Sequence, residues 1–240
     1  MINMKALLTL LASGLLVSSL AAADADGKTE IKAAAKKLAD QSGYSWTTTS
    51  KSEGGGGGGG NFRMGPTEGK TEKDGWTHTS ATFGDNKIET FLKGGKFATK
   101  RQDEWQTAED LEGDDRGAFM VRRLKAFKAP AVEAGELLDK VKEVKQGEGG
   151  VYAGDLTPEA AKALMTRGRP GAEGPADAKG TAKFWIKDGT LTKFEYNLQG
   201  TVIRPDNNEE IKSNRTTTTE FKEVGSTKIA VPPEVKKKLS

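Results

Sequence analysis

From Lys28 to Gln41 apolar residues return every three or four positions, at Ile31, Ala34, Ala35 and Leu38, with lysines between them. This spacing predicts an amphipathic helix, with Gly43 placed as a left-handed cap. The period then changes. Tyr44 to Ser50, Gly75 to Phe83, Lys87 to Leu92 and Lys96 to Thr99 are rich in Thr, aromatic and β-branched residues and read as strands. Gly84-Asp85-Asn86 and Lys93-Gly94-Gly95 supply hairpin turns between them, and Glu104-Trp105-Gln106 adds a short strand before the acidic loop from Glu109 to Asp115.

A helical insert over residues 117–167 follows. Phe119, Met120, Leu124 and Phe127 mark one amphipathic helix. After Pro130 a second is marked by Leu137, Leu138, Val141 and Val144. Beyond a strand at Val151–Ala153, Thr157-Pro158-Glu159 opens a third: Thr caps, Pro takes the first helical position and Glu meets the helix dipole. Strands resume at Gly180 and run, through Asp188-Gly189, to Gly200; Arg215–Phe221 and an extended Thr227–Pro233 complete an antiparallel meander. With a two-residue turn at Asp188-Gly189, Phe184, Ile186 and Leu191 fall on one face, while Trp185, Phe194, Tyr196 and Leu198 fall on the other. Apolar content on both faces implies cover on one side and partial shielding on the other. Strands on both sides of a helical insert predict a single α+β domain.

The first residues read as an export signal: Lys5, an uncharged run from Ala6 to Leu20, and Ala21-Ala22-Ala23 as the cleavage site. The expected division is residues 1–23 as signal peptide and 24–240 as one domain, periplasmic or secreted. With 37 basic and 34 acidic residues the net charge is +3, which argues for solubility and against nucleic acid as partner. There is no cysteine, hence no disulfide, thiolate chemistry or lipid-modified cysteine. Seven consecutive glycines, Gly54–Gly60, predict a flexible surface loop over 53–61. Asn61-Phe62 follow them where a phosphate-binding loop needs Gly-Lys-Ser/Thr.

Material for catalysis is scarce. His78 is the only histidine and stands mid-strand among threonines, so neither a nucleophile dyad nor a histidine metal site has the residues it needs. Asp110, Glu112, Asp114 and Asp115 do not complete a calcium loop, because position 115 is not glycine and Val121 stands where the closing Glu belongs. No catalytic residue, metal or cofactor is expected.

Several stretches resemble the LolA-like group of bacterial envelope proteins, which includes lipoprotein carriers and the LppX/LprG-type lipid-binding lipoproteins. They are Tyr44-Ser45-Trp46 after the first helix, Leu137-Leu138 leading to Val151-Tyr-Ala-Gly-Asp-Leu156, the hairpin Phe184–Leu191 with Lys193–Tyr196, and Thr227–Pro233. The resemblance implies a curved antiparallel half-barrel with helices in its concave side, and an apolar cavity holding acyl chains. Under it, Phe119, Leu124, Leu137, Leu138, Val141, Trp185 and Phe194 are the expected lining, and a lipid or acylated protein is the expected partner of a monomer with at most transient membrane contact. The group's LppX/LprG branch carries a lipid-modified cysteine that this chain lacks. The competing expectation is an envelope protein of the same fold whose core is filled by its own side chains and which acts through a surface.

Overall fold

The structure is a computed structural model that describes residues 18–53, 64–84, 86–113, 115–166, 174–203 and 209–240. Most of the expected export signal and all seven glycines of the expected loop lie outside these residues.

A first helix, α1 (Ser18–Ala39), buries Ile31, Ala34, Ala35 and Leu38, the stripe expected from the sequence. Six strands follow: β1 (Gly43–Glu53), β2 (Met64–Glu72), β3 (Thr77–Phe83), β4 (Asn86–Lys93), β5 (Lys96–Arg101) and β6 (Glu104–Gln106). The insert carries α2 (Asp115–Lys125) and α3 (Pro130–Leu138), then the short strands β7 (Lys145–Gln146) and β8 (Val151–Asp155), and then α4 (Pro158–Met165). Three strands, β9 (Lys179–Lys187), β10 (Thr190–Ile203) and β11 (Glu210–Lys222), lead to a last helix, α5 (Pro233–Leu239). Thr157 caps α4 as expected, its hydroxyl accepting from the Ala160 N–H at 3.1 Å.

All pairings are antiparallel, in the order β6-β5-β4-β3-β2-β1-β11-β10-β9-β8-β7. Every neighbour is consecutive in the chain except β1 and β11, whose pairing (Trp46 with Phe221, Thr48 with Thr219) joins the two halves. The sheet is open, with β6 and β7 as its edges, so the insert crosses from one edge to the other. This is the expected α+β architecture, a large antiparallel sheet not closed into a barrel.

The inner face of the sheet carries the main core. Phe184, Phe194, Leu198, Tyr152, Trp46 and Phe221 pack there against α1, α3 and α4. Next to it, Leu92 and Phe97 meet Leu111 and Val121 under α2, and Phe127 packs against both clusters. On the outer face Trp76, Phe91 and Ala98 are covered by Val235 and Leu239 of α5, with Ile229 and Val231 beside them.

Four local expectations change. Phe194, Tyr196 and Leu198 share the face of Phe184, because Thr192 is an extra residue: Leu191 pairs with Ile186, and the next pair is Lys193 with Trp185. Apolar residues of this hairpin therefore concentrate on one face, and the case for a second shielded side here is lost. Thr227–Pro233 is not a strand; it runs over the outer face into α5. Leu137 and Leu138 end α3 instead of starting a helix, and Val141 forms an isolated bridge with Leu156. Gly43 opens β1 and does not cap α1.

Candidate functional site

The inner face holds an open groove of about 260 Å³ between α3 and α4. Its floor is Tyr196 of β10, which the Thr192 bulge turns inward. Its walls are Leu137 of α3, Ala163 and Leu164 of α4, and Ala126 from the segment after α2. Charged residues stand at the rim, where Lys128 forms an ion pair with Glu136. A second, larger cleft of about 350 Å³ lies by the start of β9, where Leu156, Pro158 and Ala178 stand among Lys142, Asp155, Lys179, Thr181, Asn197 and Gln199. Asn197 is committed there to its neighbours, donating to Asn214 at 2.7 Å and to Thr216 at 2.9 Å while accepting from Gln199 at 2.9 Å.

Of the seven expected lining residues, the structure gathers Leu137, Leu138, Val141 and Phe194 in the main core, and only Leu137 borders the groove. Leu138 and Phe194 are 0% and 1% exposed. Leu124 belongs to the neighbouring cluster under α2, and Phe119 is 45% exposed. Trp185 stands on the outer face, with the Lys193 ammonium 4.3 Å from its ring centroid, so it is not part of an inner lining. Tyr196, Ala163 and Leu164 escaped the sequence reading. For Tyr196 the signal was its place two residues from Phe194, on the same face in any register, and for the other two it was the helical spacing of a short helix.

Aromatic rings build the core beside the groove. Phe127 stacks on Trp46 with centroids 6.4 Å apart and planes at 24°, and Tyr44 meets Phe221 edge-on at 5.6 Å. Burial pushes the Tyr44 phenol up in pKa, against the hydrogen bond that its oxygen accepts from the Ala131 N–H. The Trp46 Nε1–H is buried and has no hydrogen-bond partner among the described residues. From Tyr196 a polar strip crosses the same face: Tyr196 pairs with Thr217, and Thr217 with Ser50, whose hydroxyls are 3.1 Å apart. One row along, the Thr48 and Thr219 hydroxyls meet at 2.8 Å.

His78 lies on the outer face, stacked on Phe91 at 4.5 Å and 3.8 Å from the Glu89 carboxylate. Burial lowers its pKa, and Glu89 opposes the shift. Asp110 accepts from the Thr107 N–H at 2.9 Å, and those bonds lower its pKa; Asp114 is outside the described residues. Among the described residues no three His, Cys, Asp or Glu side chains converge on a possible metal position, and no helix is long and apolar enough to cross a membrane.

No family model matches the sequence, and no curated protein matches it. Among solved structures the chain is similar to the lipoprotein LppX of Mycobacterium tuberculosis, at 11% identity and a TM-score of 0.49, covering 87% of this chain and 100% of that one. It is also similar to LprF of Mycobacterium bovis, at 11% identity and a TM-score of 0.45, covering 87% of this chain and 97% of that one. The likeness is one of layout, an open antiparallel sheet with helices on it, and it transfers no residue's role.

Proposed function

We propose that this is an exported, non-catalytic, monomeric protein that binds the acyl chain of a lipid or of an acylated protein on the inner face of its sheet. The observation that carries the reading is the groove between α3 and α4, whose walls and floor are Leu137, Ala163, Leu164 and Tyr196. An acyl chain is held there by burial alone, at ~0.8 kcal/mol per methylene. At about 260 Å³ the groove is smaller than the ~300–1,000 Å³ of drug-sized ligand sites, so it takes a segment of chain, and a whole chain needs α3 and α4 to part.

Native mass spectrometry of residues 24–240, made in a bacterial periplasm and purified without detergent, tests this. A discrete adduct of lipid mass, lost in Ala163→Trp, is the expected result. Ala163 is exposed on α4, so an indole there fills the groove without entering the core. A clean apo mass after incubation with phospholipids and acylated peptides overturns the reading. It would favour the second one, a filled core with a working surface, which the tight burial of Leu138, Val141 and Phe194 supports.

A further inference from the structure

Side chains of one residue in two on each strand point to the inner face, and along β1–β4 and β8–β11 these are apolar or hydroxyl-bearing apart from Asn86, which opens β4, and Arg215 of β11, the one charged residue among them. Arg215 is half-buried, flanked across the sheet by Ser52 on β1 and Leu198 on β10. Its guanidinium makes no hydrogen bond or ion pair with any described residue. Two residues further along the strand is Thr217, whose cross-strand partners are Ser50 and Tyr196, the groove floor. Arg215 is thus a diagonal neighbour of Tyr196, roughly 7–8 Å away by sheet geometry. A half-buried guanidinium without a described partner has donors to offer, and its planar fork fits a carboxylate or phosphate.

The Arg215 fork and the buried Trp46 Nε1–H have no partner among the described residues, and both are donors only. The hydroxyls between them, on Ser50, Thr217, Thr48 and Thr219, are paired with one another but keep lone pairs and protons to share. A surface with spare donors and one positive charge is complementary to a ligand with several acceptor oxygens and a negative charge. Next to an apolar groove, that describes an acyl chain joined to an anionic headgroup.

We infer that Arg215, with the hydroxyl strip of Ser50 and Thr217, forms a headgroup subsite that selects acyl lipids with an acidic, oxygen-rich head. The inference rests on the acyl-binding reading and sharpens it, since burial of the chain by itself discriminates no headgroup. The chain lies in the α3/α4 groove over Tyr196, and the head's oxyanion sits on the Arg215 fork as a charge-assisted pair.

The test compares two C16 probes below their micellar concentrations: palmitoyl lysophosphatidylglycerol, which is anionic, and monopalmitoylglycerol, which is neutral. Their dissociation constants are measured by calorimetry for the unaltered protein, Arg215→Gln, Arg215→Lys and, as a control, Arg101→Gln at the end of β5. The anionic probe is expected to bind about 10-fold more tightly, a preference that added salt weakens. Arg215→Gln removes the preference and leaves the neutral probe's affinity unchanged, Arg215→Lys keeps part of it, and Arg101→Gln keeps all of it. Equal binding of the two probes by the unaltered protein, or a preference that survives Arg215→Gln, overturns the headgroup subsite while the groove stands. If neither probe binds, the acyl-binding reading falls and takes the subsite with it. Inorganic phosphate then separates the sources: binding of it that depends on Arg215, without lipid binding, assigns the position to a free anion.

Discussion

A Cβ placed on Gly69 would stand 2.1 Å from Cζ2 of Trp46. The indole lies flat on the bare backbone of β2, and β1 and β2 pair at that very point. Gly69→Ala therefore forces the Trp46 ring off its seat and away from Phe127. Overpacking of a closed core costs ~1–3 kcal/mol, occasionally more. Urea unfolding followed by tryptophan fluorescence should show a loss of at least that size and a changed native emission. A neutral Gly69→Ala would mean that Trp46 is not held there.

That contact also explains why β2 was invisible in the sequence. Met64–Glu72 contains two glycines, a proline and three charged residues, a composition depleted in strands. It is a strand because a central position needs a residue small enough to lie under an indole, which is a tertiary requirement. The helices α1 and α4, the hairpins of β3–β5 and the β9–β10 turn were legible, since each rests on local periodicity or turn chemistry. The inner lining was legible only in part. Alternation places Arg215 with Thr217, Thr219 and Phe221, but an inserted residue at Thr192 reverses every later position of β10, and no local rule announces it.

Deleting Thr192 makes this register argument measurable. The hairpin keeps its Asp188-Gly189 turn, where both residues have positive φ (53° and 67°). With Thr192 gone, Lys193 follows Leu191 directly and still pairs with Trp185, so plain alternation keeps Phe194, Tyr196 and Leu198 on the inner face. The deletion is therefore expected to melt cooperatively, as is Thr192→Ser, with these three side chains, worth ~1.5–3 kcal/mol each, still buried. Loss of cooperative thermal unfolding in the deletion variant alone would show that the core needs the bend the extra residue gives the strand.

Val235 is the buried anchor of α5, 0% exposed against Trp76, Phe91 and Ala98. Val235→Asp puts a carboxylate into that outer cluster without a partner, which is expected to detach residues 227–240 and strip the outer face of β3–β5. Limited proteolysis should then cut after the lysines of α5 at an enhanced rate, and Trp76 emission should shift to the red. Because the groove is on the opposite face, lipid retention should persist in whatever fraction stays folded. Unchanged proteolysis would contradict the role of α5 as a cover.

The stability of this cover should also depend on pH through His78. Burial against Phe91 lowers its folded pKa below the ordinary value near 6.5, with Glu89 opposing the shift and Lys87 and Lys70 adding to it. Above 6.5 the imidazole is neutral in both folded and unfolded chains, and its contribution is fully present. As pH falls through 6.5 the unfolded chain takes up the proton first, so stability is lost progressively until pH has passed below the folded pKa. Urea midpoints measured from pH 7.5 down to pH 5 should therefore fall more steeply for the unaltered protein than for His78→Gln, which has no group to titrate in that range. Parallel slopes would show that His78 is solvated in the folded state and that the ring of Phe91 does not shield it.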